Sequence, residues 1–454
     1  MNLAKKLGLF TATLIIVADM VGSGILFTTG SILEMVPSAW EVLLLWGIGG
    51  ILAISGALSY AKLAVIWPRA GGEYVYLKNI FGKNCGQLFA FLCGWVSLTV
   101  GFSGPLALTS IVFASYLEKF LQIQGLVSTL NLRLVAIITL IFFGIIHVLR
   151  VEKGGNIQNV LTSFKLLFFL FVIAIGLYLT YIDNPSNLTH PFLLDNSRKV
   201  FKFDLGIYSF ALLLISFSYS GWNSTTYMAE EVIDAKKNLP RAIFGGTIIV
   251  IILYLAMNFF FLSSTPISKL KGITTIFFTS TENVFGTAFA NWFNLGIGII
   301  LLSSISVQLM VAPRVYYAMA RDGVIFKFLG KTHPRYQTPY LAVMIQMLIA
   351  IGYVIIGKNN IEMLMTYMGF TLSIFPTLVV VGLIKTYYQE GSLSITNIIL
   401  PLVYILLSLL IMITALIKWT STSLFAITVL IVGGLVYYLW SRQWGPLYSA
   451  HDCT

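Results

Sequence analysis

Asp19, Met20, Gly22, Ser23, Gly24 and Ile25 stand close together in the stretch VADMVGSGILFTTG, residues 17–30, inside the first long apolar run of the chain. An aspartate in hydrocarbon costs ~3 kcal/mol or more, and a glycine-serine-glycine step gives a lipid-facing helix nothing. These residue types suit an interrupted helix. Backbone unwound at bilayer depth leaves N–H and C=O groups that protein, water or a ligand must satisfy. A half-helix beginning at Ser23 would present free amides and a positive dipole end, suited to a carboxylate. Half-helices ending near Met20 and, in a second stretch, near Phe217 would present carbonyls and a negative end, suited to an ammonium. The chemistry is capture of a small zwitterion. A glycine-mediated close helix contact is the alternative use of the same residues.

The second stretch is SFSYSGWNSTTYMAEE, residues 216–231, which sets Phe217, Ser220, Gly221 and Asn223 into the sixth apolar run. Enzyme chemistry has less to work with. The four histidines are scattered, and no HExxH, GxSxG or paired-aspartate motif occurs. Cys85, Cys93 and Cys453 form no CxxC and no even framework, so neither a disulfide scaffold nor a zinc site is indicated, and no metal or cofactor is expected.

The elements that must hold these residues follow from composition. The chain has 454 residues, 58% hydrophobic and only 10% charged, against about a quarter charged in soluble domains. Its partner is the lipid bilayer. Runs long enough to span fall at roughly 9–33, 40–66, 86–117, 132–149, 157–181, 205–229, 241–264, 284–313, 340–357, 362–388, 395–417 and 423–440. About twelve transmembrane helices with short connections make a single all-α membrane domain. The net charge of +11 is spread through loops, which fits membrane topology rather than nucleic acid. Lysine and arginine favour, by about two to one, the segments on the N-terminal side of the membrane, which places both termini in the cytoplasm of a multi-pass cell-membrane protein. The first run follows Lys5 and Lys6 as a signal peptide would, yet no cleavage site ends it, so it is expected to be retained. The sequon Asn187-Leu188-Thr189 then falls outside, as coincidence rather than signal.

Gly221 follows Gly22 by about 200 positions, roughly five span-plus-loop units. An odd offset makes the sixth helix antiparallel to the first. That is the mark of a five-plus-five inverted repeat with a broken helix in each half. The expected boundaries are about 9–181 for repeat one, about 205–388 for repeat two and two extra helices at about 395–440.

The chain resembles the amino acid, polyamine and organocation (APC) superfamily of transporters, closest to the L-type amino acid transporter branch and its bacterial relatives. The resemblance is carried by GSGI (22–25), PRAGGEYVYL (68–77), SFKLL (163–167), FSYSGWNSTTYMAEEV (217–232), KNLPRAI (237–243) and VAPRVYYAMARDG (311–323). It implies the leucine-transporter-type fold with unwound first and sixth helices, and alternating access. It implies an amino acid or related amine as substrate, moved by proton-coupled symport or exchange. Its family pattern puts the substrate carboxylate on the amides and hydroxyl around Ser23, Gly24 and Ile25, and the α-amino group on carbonyls of Met20, Phe217 and Ser220. Phe217 would also be an aromatic lid, and Asn223 would brace the sixth helix.

Lys165 lies ~12 Å along the fifth run. In the superfamily, a lysine here can stand where sodium-coupled relatives hold sodium, bridging the first and eighth helices, and Ser303, Ser304 and Ser306 could supply partner oxygens. A proton-coupling switch, a fixed cation and a snorkelling lysine are all compatible with that position. Asp19 departs from the named branch, where a neutral residue is usual. Its partner could be the substrate ammonium, Lys165, a second cationic group of an arginine-, lysine- or polyamine-like substrate, or nearby backbone amides. A polyamine or cationic amino acid carrier, and a non-transporting amino acid sensor, are therefore the alternatives.

Segment 67–82 reads as an amphipathic inner-face helix with Arg69 and Glu73 as ion-pair formers. Glu230, Glu231, Asp234, Arg241, Arg314, Arg321 and Asp322 are expected in an inner salt-bridge network, and His147 at the interface. Residues 97–103 and Tyr367 are expected to help set pocket volume. The outer loop 118–131 has no cysteine, so no disulfide-linked subunit of the kind animal members carry is expected.

Overall fold

The computed structural model describes residues 3, 5–36, 38–149, 151–183, 204–273, 275–357, 361–418 and 420–444. The sequon at 187–189, Cys453, His190 and His451 lie outside them. Among the described residues the only β pairing is a bridge between Leu7 and Val232, and everything else regular is helical. Among the described residues nine helices are long and apolar enough to cross a membrane, and three shorter apolar ones, Leu205–Ser218, Tyr340–Ile356 and Leu424–Trp440, complete twelve. The spans fall within a few residues of the apolar runs. One differs in shape: the eighth begins earlier, at Ile276, is kinked at Gly286 with φ +77, and stops at Val311.

The first helix is two pieces, Leu9–Met20 and Gly24–Met35. The sixth is Leu205–Ser218, then an irregular stretch containing Gly221 at φ +106, then the short helix Ser224–Tyr227. Asp204 caps the start of the sixth by accepting from Gly206 and Ile207 amides, the usual device for satisfying first-turn donors. The third helix is continuous from Gln87 to Ile123 but widens into a π turn at Ser97–Gly101, a distortion that often marks functional sites.

Packing follows a two-fold logic. The second helix, Ala39–Ile66, packs on the seventh, Ala235–Ser264; the third packs on the eighth, and the fourth, Leu132–Leu149, on the ninth, Tyr340–Ile356. The broken helices cross over: the first half of one touches the second half of the other in both directions. Helices that are equivalent in two oppositely oriented copies meet each other in this way. The fold is the leucine-transporter type, with its core on the first, third and eighth helices, while the fourth, fifth and eleventh are mostly turned outward.

Candidate functional site

A cavity of about 130 Å³ lies between the two breaks. It approaches the ~150 Å³ of a void that takes up benzene and falls below the ~300 Å³ and more of drug-sized sites, so it suits a small solute. Asp19, Met20, Gly22, Ser23 and Gly24 line it from the first helix, and Phe217, Ser220, Gly221 and Asn223 from the sixth. Ile25 does not line it: its side chain is buried, and only its amide, in the same first turn, is at issue. Ser97 and Gly101 of the π turn contribute, as do Gly369, Ser373 and Pro376 of the tenth helix and Tyr404, Ser408 and Ile411 of the eleventh. The side chain of Tyr367 lies outside the described residues.

Glycine serves both purposes weighed from the sequence. A Cβ on Gly24 would sit 2.7 Å from Ser218, and one on Gly221 would sit 3.0 Å from the backbone of Asp19 and Met20. The close contacts and the interruptions occupy the same residues. The half-helix Gly24–Met35 starts with no side-chain cap; its Leu26 amide turns back to the Ser23 carbonyl at 3.1 Å, while the amides of Gly24 and Ile25 have no partner within the helix.

The carbonyl ends are less open than the sequence reading has it. Tyr254 Oη lies 2.6 Å from the Met20 carbonyl and 3.0 Å from that of Ser218, so one phenol from the seventh helix is wedged between the ends of both first half-helices. The Phe217 carbonyl accepts from the Ser220 amide (3.0 Å) and hydroxyl (2.7 Å). The Met20 carbonyl also accepts from the Gly22 amide at 3.1 Å, so it and the Phe217 carbonyl each already hold two donors, the full complement of a carbonyl oxygen.

Behind the first break, Lys165 is fully buried. Its ammonium donates to the carbonyls of Val21 (2.5 Å) and Ala18 (3.0 Å) and to Ser304 Oγ (2.9 Å). It bridges the first and eighth helices and does not snorkel. Of the three serines only Ser304 meets it. Ser303 is bonded to the side chain of Gln158 at 3.0 Å, and Ser306 to His147. Helical spacing separates them: neighbouring serines on the eighth helix point to different neighbours.

Asp19 lies in the cavity wall and accepts from the Ser224 hydroxyl across the gap. Its partner is thus a side chain of the sixth helix, not the backbone amides considered above. Glu73 is a correction. It forms no ion pair among the described residues; it is buried, lines the cavity, and accepts from Asn223 Nδ2 (2.6 Å), Tyr60 Oη (3.0 Å) and Cys93 Sγ (3.5 Å). Asn223, at the sixth-helix break, also reaches Tyr227 Oη at 3.0 Å. The helix Glu73–Phe81 begins at Gly72, with φ +49, where a Cβ would strike Tyr227. That close approach turns Glu73 inward, and nothing in the local pattern announces it.

One end of the bundle is closed by charge. Arg314 and Glu231 form a buried bidentate pair at 2.8 and 3.1 Å, Arg321 pairs with Glu230 at 2.9 Å, and Asp322 meets Lys78 at 2.7 Å and Arg69 at 3.7 Å. Asp234 and Arg241, expected in this network, make no ion pair among the described residues; Asp234 instead turns the chain at φ 46 before the seventh helix. The amides of Lys6 and Leu7 donate to the Glu231 carbonyl, and that of Ile233 to Leu7, all at 2.9 Å. His147 is not interfacial: it is buried and 2.9 Å from Ser306 Oγ.

Residues 7–440 match the sequence profile of a family described as amino acid permease. The chain is 27% identical over 440 residues to the large neutral amino acids transporter small subunit 2 of Homo sapiens, covering 96% of this chain and 80% of that protein. It is 28% identical over 442 residues to the b(0,+)-type amino acid transporter 1 of Mus musculus, covering 96% and 88%. Among solved structures, it is similar to Mhp1, a nucleobase-cation-symport-1 family transporter in a closed conformation with bromovinylhydantoin bound. The TM-score is 0.62 at 14% identity, covering 99% of this chain and 97% of that one.

Proposed function

Since the chain belongs to the amino acid permease family, we propose that it carries an amino acid across the cell membrane by alternating access, through the cavity between its two broken helices. The observation that carries this is the pairing of an uncapped helix start at Ser23–Gly24 with the second break at 219–223, both facing one small cavity. The substrate carboxylate binds the amides of Ser23, Gly24 and Ile25 and the Ser23 hydroxyl. The α-amino group binds the Asp19 carboxylate and the Ser220 carbonyl, displacing donors from the carbonyls of Met20 and Phe217, with Phe217 as lid. Asn223 positions the sixth-helix break. Lys165 acts as a fixed cation with Ser304, while Ser303 is bonded to Gln158 instead. The repeats run about 9–181 and about 205–388, with both termini cytoplasmic; the charged closure lies on that side. Transport is proton-coupled symport or exchange, without cofactor or catalysis.

Uptake of radiolabelled amino acids into proteoliposomes, with and without a pH gradient or internal amino acid, tests the proposal. Accumulation or exchange supports it; neither, with any amino acid or polyamine, overturns it.

A second reading has one observation in its favour. Asp19 and Glu73 are acidic residues in the lining, and no lysine, arginine or histidine joins them among the described lining residues. Two carboxylates favour a solute with positive charge, such as a basic amino acid or polyamine. Competition of labelled uptake by lysine, arginine and putrescine against leucine and alanine separates the two.

A further inference from the structure

A second pocket, of about 320 Å³, lies away from the breaks among the second, seventh, tenth and eleventh helices. Its walls are mainly apolar, with Leu58, Ala61, Val65, Leu383, Leu400 and Pro401 on them. The polar lining includes Lys62, Thr396 and Asn397, and these lie at helix ends. Lys62 is about one turn before the end of the second helix at Ile66, while Thr396 and Asn397 are in the first turn of the eleventh, Ile395–Lys418. Pro240 comes from the first turns of the seventh helix. Three helices therefore reach one membrane boundary around this end of the pocket.

Charge there is of one sign. Lys62 is exposed and has no hydrogen bond or ion pair among the described residues, and no aspartate or glutamate lines the pocket. Nearby Lys385 is committed elsewhere, donating to the Ile80 carbonyl at 3.1 Å and lying over the Phe81 ring. The start of the eleventh helix adds its positive dipole end. An unpaired cation at headgroup depth over an apolar groove between transmembrane helices is complementary to an anionic headgroup with a hydrocarbon tail. A soluble anion would leave the groove unfilled, and a neutral lipid would leave Lys62 unpaired.

We propose that this pocket binds one anionic phospholipid, its phosphate on Lys62 and one acyl chain along Leu58, Leu383 and Leu400. The lipid joins the eleventh helix, which lies outside the repeats, to the second and seventh.

The test uses the full chain reconstituted in phosphatidylcholine vesicles containing a minor share of phosphatidylglycerol, then extracted into mild detergent and weighed by native mass spectrometry. One retained phosphatidylglycerol is expected in the wild type and in Lys62→Arg. Retention falls about fivefold in Lys62→Gln, the effect of one interfacial lysine. Leu400→Trp, which fills the groove, abolishes retention. Lys62 is exposed and unpaired, so its substitution leaves the fold intact, and an unchanged thermal melt verifies this. Equal retention in Lys62→Gln, equal retention of phosphatidylcholine, or displacement of the lipid by free glycerol phosphate overturns the proposal.

Discussion

The unwound segment of the first helix has two faces, and they are built oppositely. On one, Lys165 and Ser304 meet the carbonyls of Ala18 and Val21, giving those main-chain acceptors a cation in a buried setting. On the other, the half-helix that begins at Gly24 is uncapped and faces a cavity. The same interruption is thus satisfied by protein behind and left for a solute in front. A break at bilayer depth needs both: without the first it would be too costly to form, and without the second it would have nothing to bind.

The sharpest way to break this contrast is Lys165→Ala. It removes three charged hydrogen bonds and leaves the Ser304 hydroxyl alone on the Ala18 and Val21 carbonyls, and charged hydrogen bonds are worth about 1.5–3 kcal/mol each. Stability should fall by about 3 kcal/mol or more, with transport lost, as read by thermal melting and uptake. Ser23→Pro attacks the other face alone. Ser23 sits at φ −65, which proline adopts without strain, so the protein should fold while substrate binding drops by more than about 100-fold, or about 2.7 kcal/mol. Normal thermal stabilisation of that variant by substrate would contradict the amide site. Asp19→Asn should weaken binding about tenfold, near 1.4 kcal/mol, and more for basic than for neutral substrates if the two acidic groups set selectivity. Ser304→Ala is the mildest: Lys165 keeps both carbonyls, so a loss of about 1 kcal/mol and a few-fold slower uptake are expected.

Local pattern made much of this legible. Apolar runs located twelve helices, because span length is fixed by the bilayer. Gly22, Ser23, Gly24 and Gly221 located the breaks, because glycine and hydroxyls inside hydrocarbon have few other uses. Lys165 was legible for the same reason. What escaped depends on partners distant in sequence. Glu73 looked like a surface ion-pair former, and its inward turn is set by Gly72 against Tyr227, more than 150 residues away. Tyr254 is one of 22 tyrosines, and only the meeting of two helix ends distinguishes it. Tyr404, Ser408 and Ile411 belong to the eleventh helix, which the proposed repeats leave out, so the repeat pattern gave no reason to bring them to the cavity. His147 carries no mark of its partner Ser306.

The main-chain bridge between Leu7 and Val232 joins the start of the first helix to the segment just beyond the sixth. Three amide hydrogen bonds thus fasten these two segments together by main chain alone, so no side-chain substitution at 6, 7, 231 or 233 removes the link's donors and acceptors, proline excepted.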